Sequence, residues 1–151
     1  MLFVGFVTGC DTFPGQQTSG SDDWIEISCG AAHTCGIHSN GVIECWGCGD
    51  PYDFGQCEAP EGSYTALSAG MWHTCAIMDS GKVACWGCEG DFLGTTNNKG
   101  QCYPPTVATV GEAISVGTGL YHSCGLFEDG VNCFGCFSDN WNVGQCWDDE
   151  E

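Results

Sequence analysis

The sequence predicts an all-β fold of three propeller-like repeats, each built on a β-hairpin and stapled by disulfides. Recurrence is the first reason. His33-Thr34-Cys35, Gly41-Val42-Ile43-Glu44-Cys45-Trp46-Gly47-Cys48 and Gly55-Gln56-Cys57 return as His73-Thr74-Cys75, Gly81-Lys82-Val83-Ala84-Cys85-Trp86-Gly87-Cys88 and Gly100-Gln101-Cys102. A third copy reads His122-Ser123-Cys124, Gly130-Val131-Asn132-Cys133-Phe134-Gly135-Cys136 and Gly144-Gln145-Cys146. Successive histidines lie 40 and 49 residues apart, a period typical of propeller blades or solenoids. Composition is the second reason: 24 glycines and 12% aromatic residues suit many short strands and tight turns. Cysteine order is the third, with four cysteines in each repeat and two, Cys10 and Cys29, left over.

Each repeat opens on a similar lead-in, Ile27-Ser28-Cys29-Gly30, Leu67-Ser68-Ala69-Gly70 and Ile114-Ser115-Val116-Gly117. The hairpin follows. Residues 35–38 and 42–45 flank Ser39-Asn40-Gly41, a short loop whose glycine supplies positive φ. Counting inward from this loop sets Cys35 opposite Cys45. Asp79-Ser80-Gly81 likewise sets Cys75 opposite Cys85, and the longer Phe127-Glu128-Asp129-Gly130 loop sets Cys124 opposite Cys133. Directly opposed Cβ atoms are about 4.5–5.5 Å apart, near enough for a disulfide. The remaining pairs, Cys48–Cys57, Cys88–Cys102 and Cys136–Cys146, close the polar loops 49–56, 89–101 and 137–145, each contributing about 2–3 kcal/mol. Cys10 and Cys29 are expected to bond to each other, within or between subunits, unless Cys10 is acylated.

Gly…His-Thr-Cys, Asp/Asn-Gly-Val, Cys-Trp-Gly and Gly-Gln together resemble the regulator-of-chromosome-condensation (RCC-type) repeat over residues 24–147. The cysteine-rich form is similar to secreted bacterial relatives. The resemblance implies a β-propeller of four-stranded blades and a role in protein interaction. Well-known members have seven blades, whereas this chain has three repeats and adds the Trp-Gly-Cys…Gly-Gln-Cys staple. No nucleotide-exchange or chromatin role carries over to so acidic, secreted-looking a chain.

The chain divides into an apolar arm or lipoprotein-type segment (1–10), a polar linker (11–23), the three-repeat domain (about 24–63, 64–110 and 111–147) and an acidic tail (148–151). In the first, Leu2, Phe3, Val4, Phe6 and Val7 suit a buried strand, and Phe6-Val7-Thr8-Gly9-Cys10 resembles a lipoprotein processing site. The run is too short to span a membrane. Twenty acidic residues face Lys82 and Lys99 with no arginine, which excludes nucleic acid and anionic lipid surfaces as partners.

Few candidate sites carry chemistry. His33, His73 and His122 recur with the repeat and read as packing residues that bond a neighbouring backbone. The Cys-x-x-Cys pairs have zinc-like spacing, but their cysteines face partners across hairpins, so disulfides are preferred to metal. Trp46, Trp86 and Phe134 are expected as core aromatics, with Ala32, Trp72 and Tyr121 at a second matching position. Asp50, Asp53, Asp91, Asp139 and Asn140 offer oxygens that calcium would suit, but they form no dense ligand run, and no cofactor is expected. No nucleophile elbow or phosphate loop occurs, so the chain is not expected to be an enzyme.

Three blades are too few to close a propeller. The expected function is therefore a secreted structural subunit that self-assembles, through the apolar arm or the blade flanks, into an extracellular filament or ring. The alternative is a cell-surface lipoprotein module that binds a protein or glycan through its loops.

Overall fold

The computed structural model describes residues 23–89, 91–92, 95–96, 99–135 and 145–146. Each repeat forms a three-stranded antiparallel sheet with its strands in sequence order. Sheet I comprises β1 (Trp24–Cys29), β2 (Thr34–His38) and β3 (Ile43–Trp46); sheet II comprises β4 (Tyr64–Ala69), β5 (Thr74–Met78) and β6 (Val83–Trp86). A short ribbon of β7 (Asp91–Phe92) and β8 (Thr95–Thr96) and one helical turn, α1 (Val107–Val110), lead to sheet III. That sheet comprises β9 (Ala113–Thr118), β10 (Ser123–Phe127) and β11 (Gly130–Phe134). No helix among the described residues is long and apolar enough to cross a membrane.

The hairpin registers follow from the turns. His38 and Val42 bracket the first loop through His38 N–H to Val42 O (2.9 Å), and Met78 and Lys82 bracket the second in the same way (2.8 Å). Cys35 then pairs with Cys45, Cys75 with Cys85 and Cys124 with Cys133. These pairs are closed as disulfides with Cα separations of 4.1, 4.1 and 4.0 Å.

Two sequence expectations change. The lead-in to the third repeat is Val116-Gly117-Thr118-Gly119, two residues beyond the Ile-Ser-x-Gly match. The ladders fix this: Cys29 faces Thr34, Ala69 faces Thr74, and Thr118 faces Ser123. Gly30, Gly70 and Gly119 likewise each donate to the carbonyl of the histidine three residues on, all at 2.8 Å. The four-stranded blades implied by the resemblance are three-stranded among the described residues. After β3 the chain turns away at Gly47, where φ is +93°, and Cys48–Cys57 ties it down as a compact loop.

Sheet II lies between the other two. Alternation along the strands divides each sheet into two faces. One face of sheet I carries Cys35, Ile37 and Ile43, which pack with Tyr64, Leu67, Ala76 and Trp86 of sheet II. The same face carries Glu26 and Ser28, whose side-chain oxygens accept Leu67 N–H (3.3 Å) and Ala69 N–H (3.0 Å). Ser68 repeats the device against Thr118 N–H at 3.1 Å. Sheet I thus receives sheet II through an apolar cluster and two side-chain-to-backbone bonds, and sheet II receives sheet III through the Ser68 bond.

Candidate functional site

The joints between sheets are the most specific constructions in the molecule. His33 Nε2 lies 2.7 Å from Thr74 Oγ1, and His73 Nε2 lies 2.9 Å from Ser123 Oγ. The histidines therefore engage a side-chain hydroxyl of the following repeat, not a backbone group as the sequence suggested. Each hydroxyl belongs to the residue just after the next repeat's histidine, so the contact propagates along the stack. Burial lowers both imidazoles from 6.5 to about 4; His73 is lowered further by positive charge on His33 and His122. Both are neutral at physiological pH. His122, the third of the series, belongs to the last sheet, and no following repeat is described to receive it.

A second contact runs through the Gly-Gln-Cys motif. Gln56 and Gln101 are fully buried. Gln56 Oε1 accepts Phe54 N–H at 2.6 Å and its amide donates to Tyr52 O, so one side chain organises the whole loop 52–56. Gln101 Oε1 accepts Lys99 N–H in the second loop. The Gln56 carbonyl then accepts Trp86 Nε1–H of the next repeat at 2.9 Å. Phe134 has no side-chain N–H, and at the second joint Ser123 Oγ donates to the Gln101 carbonyl instead, at 3.1 Å. Sequence reasoning passed over these glutamines, although their threefold recurrence beside cysteine was the available signal. Trp86→Phe is accordingly expected to cost about 1 kcal/mol, the worth of one net hydrogen bond, read from the urea midpoint of the disulfide-intact protein.

The loop staples Cys48–Cys57 and Cys88–Cys102 are formed, with Cα separations of 6.0 and 6.2 Å. Every described Cys-x-x-Cys thiol is therefore committed to a disulfide, which leaves none to ligate zinc. Cys146 is disulfide-bonded; its expected partner, Cys136, lies outside the described residues. Cys29 is free and exposed, with Thr34 Oγ1 at 3.7 Å, so the expected bond to Cys10 is not made within this chain. Cys29 sits on a sheet face that points away from the rest of the stack, which leaves its sulfur uncovered. Cys10 and the arm residues Leu2, Phe3, Val4, Phe6 and Val7 lie outside the described residues. Among the described residues, no three His, Cys, Asp or Glu side chains converge as cation ligands. Asp53 Oδ1 accepts Gly55 N–H at 3.1 Å, capping its own turn. Trp72 is a packing residue, stacked on Tyr52 at 5.3 Å and edge-on to Phe54.

The two ends of the stack differ from its interior at equivalent positions. Tyr64 and Leu67 are 2% and 5% exposed between sheets I and II, whereas Trp24 and Ile27, their counterparts in the first sheet, are 41% and 62% exposed. Ile37 and Ile43 are 0% and 9% exposed, whereas Leu126 and Val131, their counterparts in the last sheet, are 41% and 72% exposed. At the first end, Trp24, Ile25, Ile27 and Trp46 line an apolar groove of about 390 Å³, with Trp24 packed edge-on against Trp46 at 5.8 Å.

Residues 24–56 and 64–92 match the Regulator of chromosome condensation (RCC1) repeat. These two stretches are thus RCC1-type repeats, and the third sheet, outside the matched residues, keeps the same register. Solved structures agree on the fold. The ectodomain of the Physcomitrella patens receptor kinase CR4 is 25% identical with a TM-score of 0.59, over 76% of this chain and 29% of that one. The CRINKLY WD40 ectodomain of the Arabidopsis thaliana receptor kinase ACR4 is 22% identical with a TM-score of 0.53, over 76% of this chain and 37% of that one. Prp20p from Saccharomyces cerevisiae, a structure described with its binding to Gsp1p and histones, is 19% identical with a TM-score of 0.59, over 74% and 32%. This chain therefore spans about a third of the length of each. No curated protein matches it by sequence.

Proposed function

We propose that this chain is a disulfide-stapled structural subunit that assembles with further copies of itself outside the cell. The observation that carries the reading is the pair of end faces. Apolar positions buried between sheets I and II lie open at their counterparts on the first and last described sheets, which suits contact with further repeats. The five described disulfides suit an oxidising compartment, and CR4, one of the similar structures, is a receptor ectodomain. The repeats supply contact surfaces and backbone staples, and the chemistry is binding, not catalysis.

Light scattering coupled to size exclusion, with negative-stain electron microscopy of the same fractions, tests this on the full chain. A mass above one chain is expected, rising with ionic strength because a net charge of −18 opposes association at low salt. A monomer at all salt concentrations and at high protein concentration would sink the proposal.

A second reading, a module that binds a foreign protein through its loops, is favoured by one observation. Glu58, Glu89 and the exposed ring of Tyr103 border a cleft of about 310 Å³ over the Cys88–Cys102 staple. A basic segment is the partner that chemistry would favour.

A further inference from the structure

We infer that the joint between sheets II and III is an acid-opened contact, in which protonation of His73 releases sheet III from sheet II while each sheet stays folded on its own ladder and cross-strand disulfide. The contact lies wholly within the described residues, and the inference does not depend on self-assembly.

This joint has less apolar packing than its neighbour. Tyr64, Leu67 and Trp86 of sheet II fill the joint with sheet I. The ladders put Ala113, Val116 and Phe134 of sheet III at the same three positions. Ala113 is opposite Phe127 as Tyr64 is opposite Met78, Val116 is opposite Gly125 as Leu67 is opposite Ala76, and Phe134 is opposite Ser123 as Trp86 is opposite Thr74. Each replacement is smaller, so less apolar surface holds sheet III. Ala66 stands where Glu26 stands, opposite Ile77 as Glu26 is opposite Ile37, and has no side-chain oxygen to accept an N–H of sheet III. The joint therefore leans on Ser68, which accepts Thr118 N–H, and on Ser123.

Acid acts at Ser123. Its Oγ donates to the Gln101 carbonyl at 3.1 Å, so the 2.9 Å contact with His73 is made by Nε2–H as donor. The proton added in acid falls on Nδ1, which is buried without a hydrogen-bond partner. A methyl on Gly70 would meet His73 Cε1 at 2.7 Å and the Gly119 carbonyl at 2.5 Å, so the ring edge has no room for water. A new N–H and a new charge are thus sealed in without acceptor or solvent, a cost that separation of the sheets removes. No counter-charge offsets it. Strands β4, β5, β9 and β10 contain no Asp, Glu, Lys or Arg, and Tyr64 of β4 faces sheet I. Asp79, Lys82, Glu112, Glu128 and Asp129 lie at the hairpin ends, away from His73. In the nearer loops Asp53 accepts Gly55 N–H, and Lys99, just before Gly100-Gln101, has the sign of the added proton. His33 and His122 bear on the ring and oppose its protonation. His33 itself is held in the same way, but the apolar cluster and the Trp86 bond keep its joint closed.

Amide hydrogen exchange of the oxidised chain at about pH 7 and about pH 5, corrected for intrinsic exchange, tests this. Thr118 and Met71 N–H, whose acceptors Ser68 Oγ and Gly119 O lie across the joint, are expected to lose protection on the order of tenfold. Leu67 and Ala69 N–H, bonded to Glu26 and Ser28 across the other joint, should keep theirs, as should His38 and Met78 N–H within the hairpins. In His73→Gln, Thr118 and Met71 should be equally protected at both pH values. The comparison between joints needs only the parent, so it decides the matter even where the variant does not fold. Equal loss at all of these amides would mean that the chain unfolds as one unit, which overturns the inference. Unchanged protection at Thr118 and Met71, earlier loss at Leu67 and Ala69, or the parent's loss persisting in His73→Gln would overturn it as well.

Discussion

Gly87→Ala is expected to destabilise the folded chain by about 3 kcal/mol, the combined cost of positive-φ strain and overpacking against backbone. Gly87 has φ of +89°, a conformation that residues with a Cβ rarely adopt. An added methyl would also sit 2.6 Å from Gln56 Cβ, 2.7 Å from Gln56 Cα and 2.8 Å from the Trp72 carbonyl. None of these atoms is the free end of a flexible side chain. Gln56 is fixed by its bonds to loop 52–56, and its carbonyl is fixed by Trp86. Relief would therefore require the first repeat's stapled loop to move off the second sheet. Gly49→Ala is the control, since a methyl there meets nothing within 4 Å. Urea midpoints of the two oxidised variants should separate clearly, with Gly49→Ala close to the parent. A Gly87→Ala midpoint equal to the control would mean that the Gln56 loop does not bear on Gly87.

The sequence was most legible where one turn fixes many neighbours. Counting back from Gly41, Gly81 and Gly130 placed each cysteine opposite its partner, because hairpin register propagates without reference to the rest of the fold. Contacts across the joints were less legible. His33 meets Thr74, which lies 41 residues away, and His73 meets Ser123, 50 residues away, separations that no local rule connects. The recurrent hydroxyl after each histidine was nonetheless a visible signal. The third lead-in was misaligned because Ile114-Ser115-Val116-Gly117 imitates Ile27-Ser28-Cys29-Gly30 locally, while pairing with β10 selects Val116-Gly117-Thr118-Gly119. The three-stranded outline was hidden by Gln56 and Gln101, whose buried amides organise a loop where a fourth strand was expected. The end faces are not a property of any residue type: Leu67 and Ile27 differ in exposure because, among the described residues, one has a preceding sheet and the other does not.

Stability is expected to fall as the pH drops from about 7 to about 5, through the two histidines at the joints. Both imidazoles are held neutral in the fold, at about 4 against an ordinary value of 6.5. Below 6.5 the unfolded chain takes up protons that the folded chain refuses, so unfolding gains free energy with each step toward acid. The stabilisation is complete above 6.5 and is lost as the pH falls toward 4. For the deeply buried His73 the loss is about 2 kcal/mol by about pH 5. His33, in the first joint and nearer solvent, adds in the same direction but less. This window lies above the ordinary range of carboxylates, about 3.9–4.3. At the second joint Ser123 Oγ gives its proton to the Gln101 carbonyl, so His73 Nε2–H is the donor to Ser123 and the added proton falls on the buried Nδ1. His73→Gln, which keeps a hydrogen-bonding group near Ser123 but cannot titrate, should be less stable than the parent at about pH 7 and show a shallower fall toward pH 5. Urea midpoints across this range give both slopes. Equal slopes for parent and variant would mean that His73 is not the group that titrates.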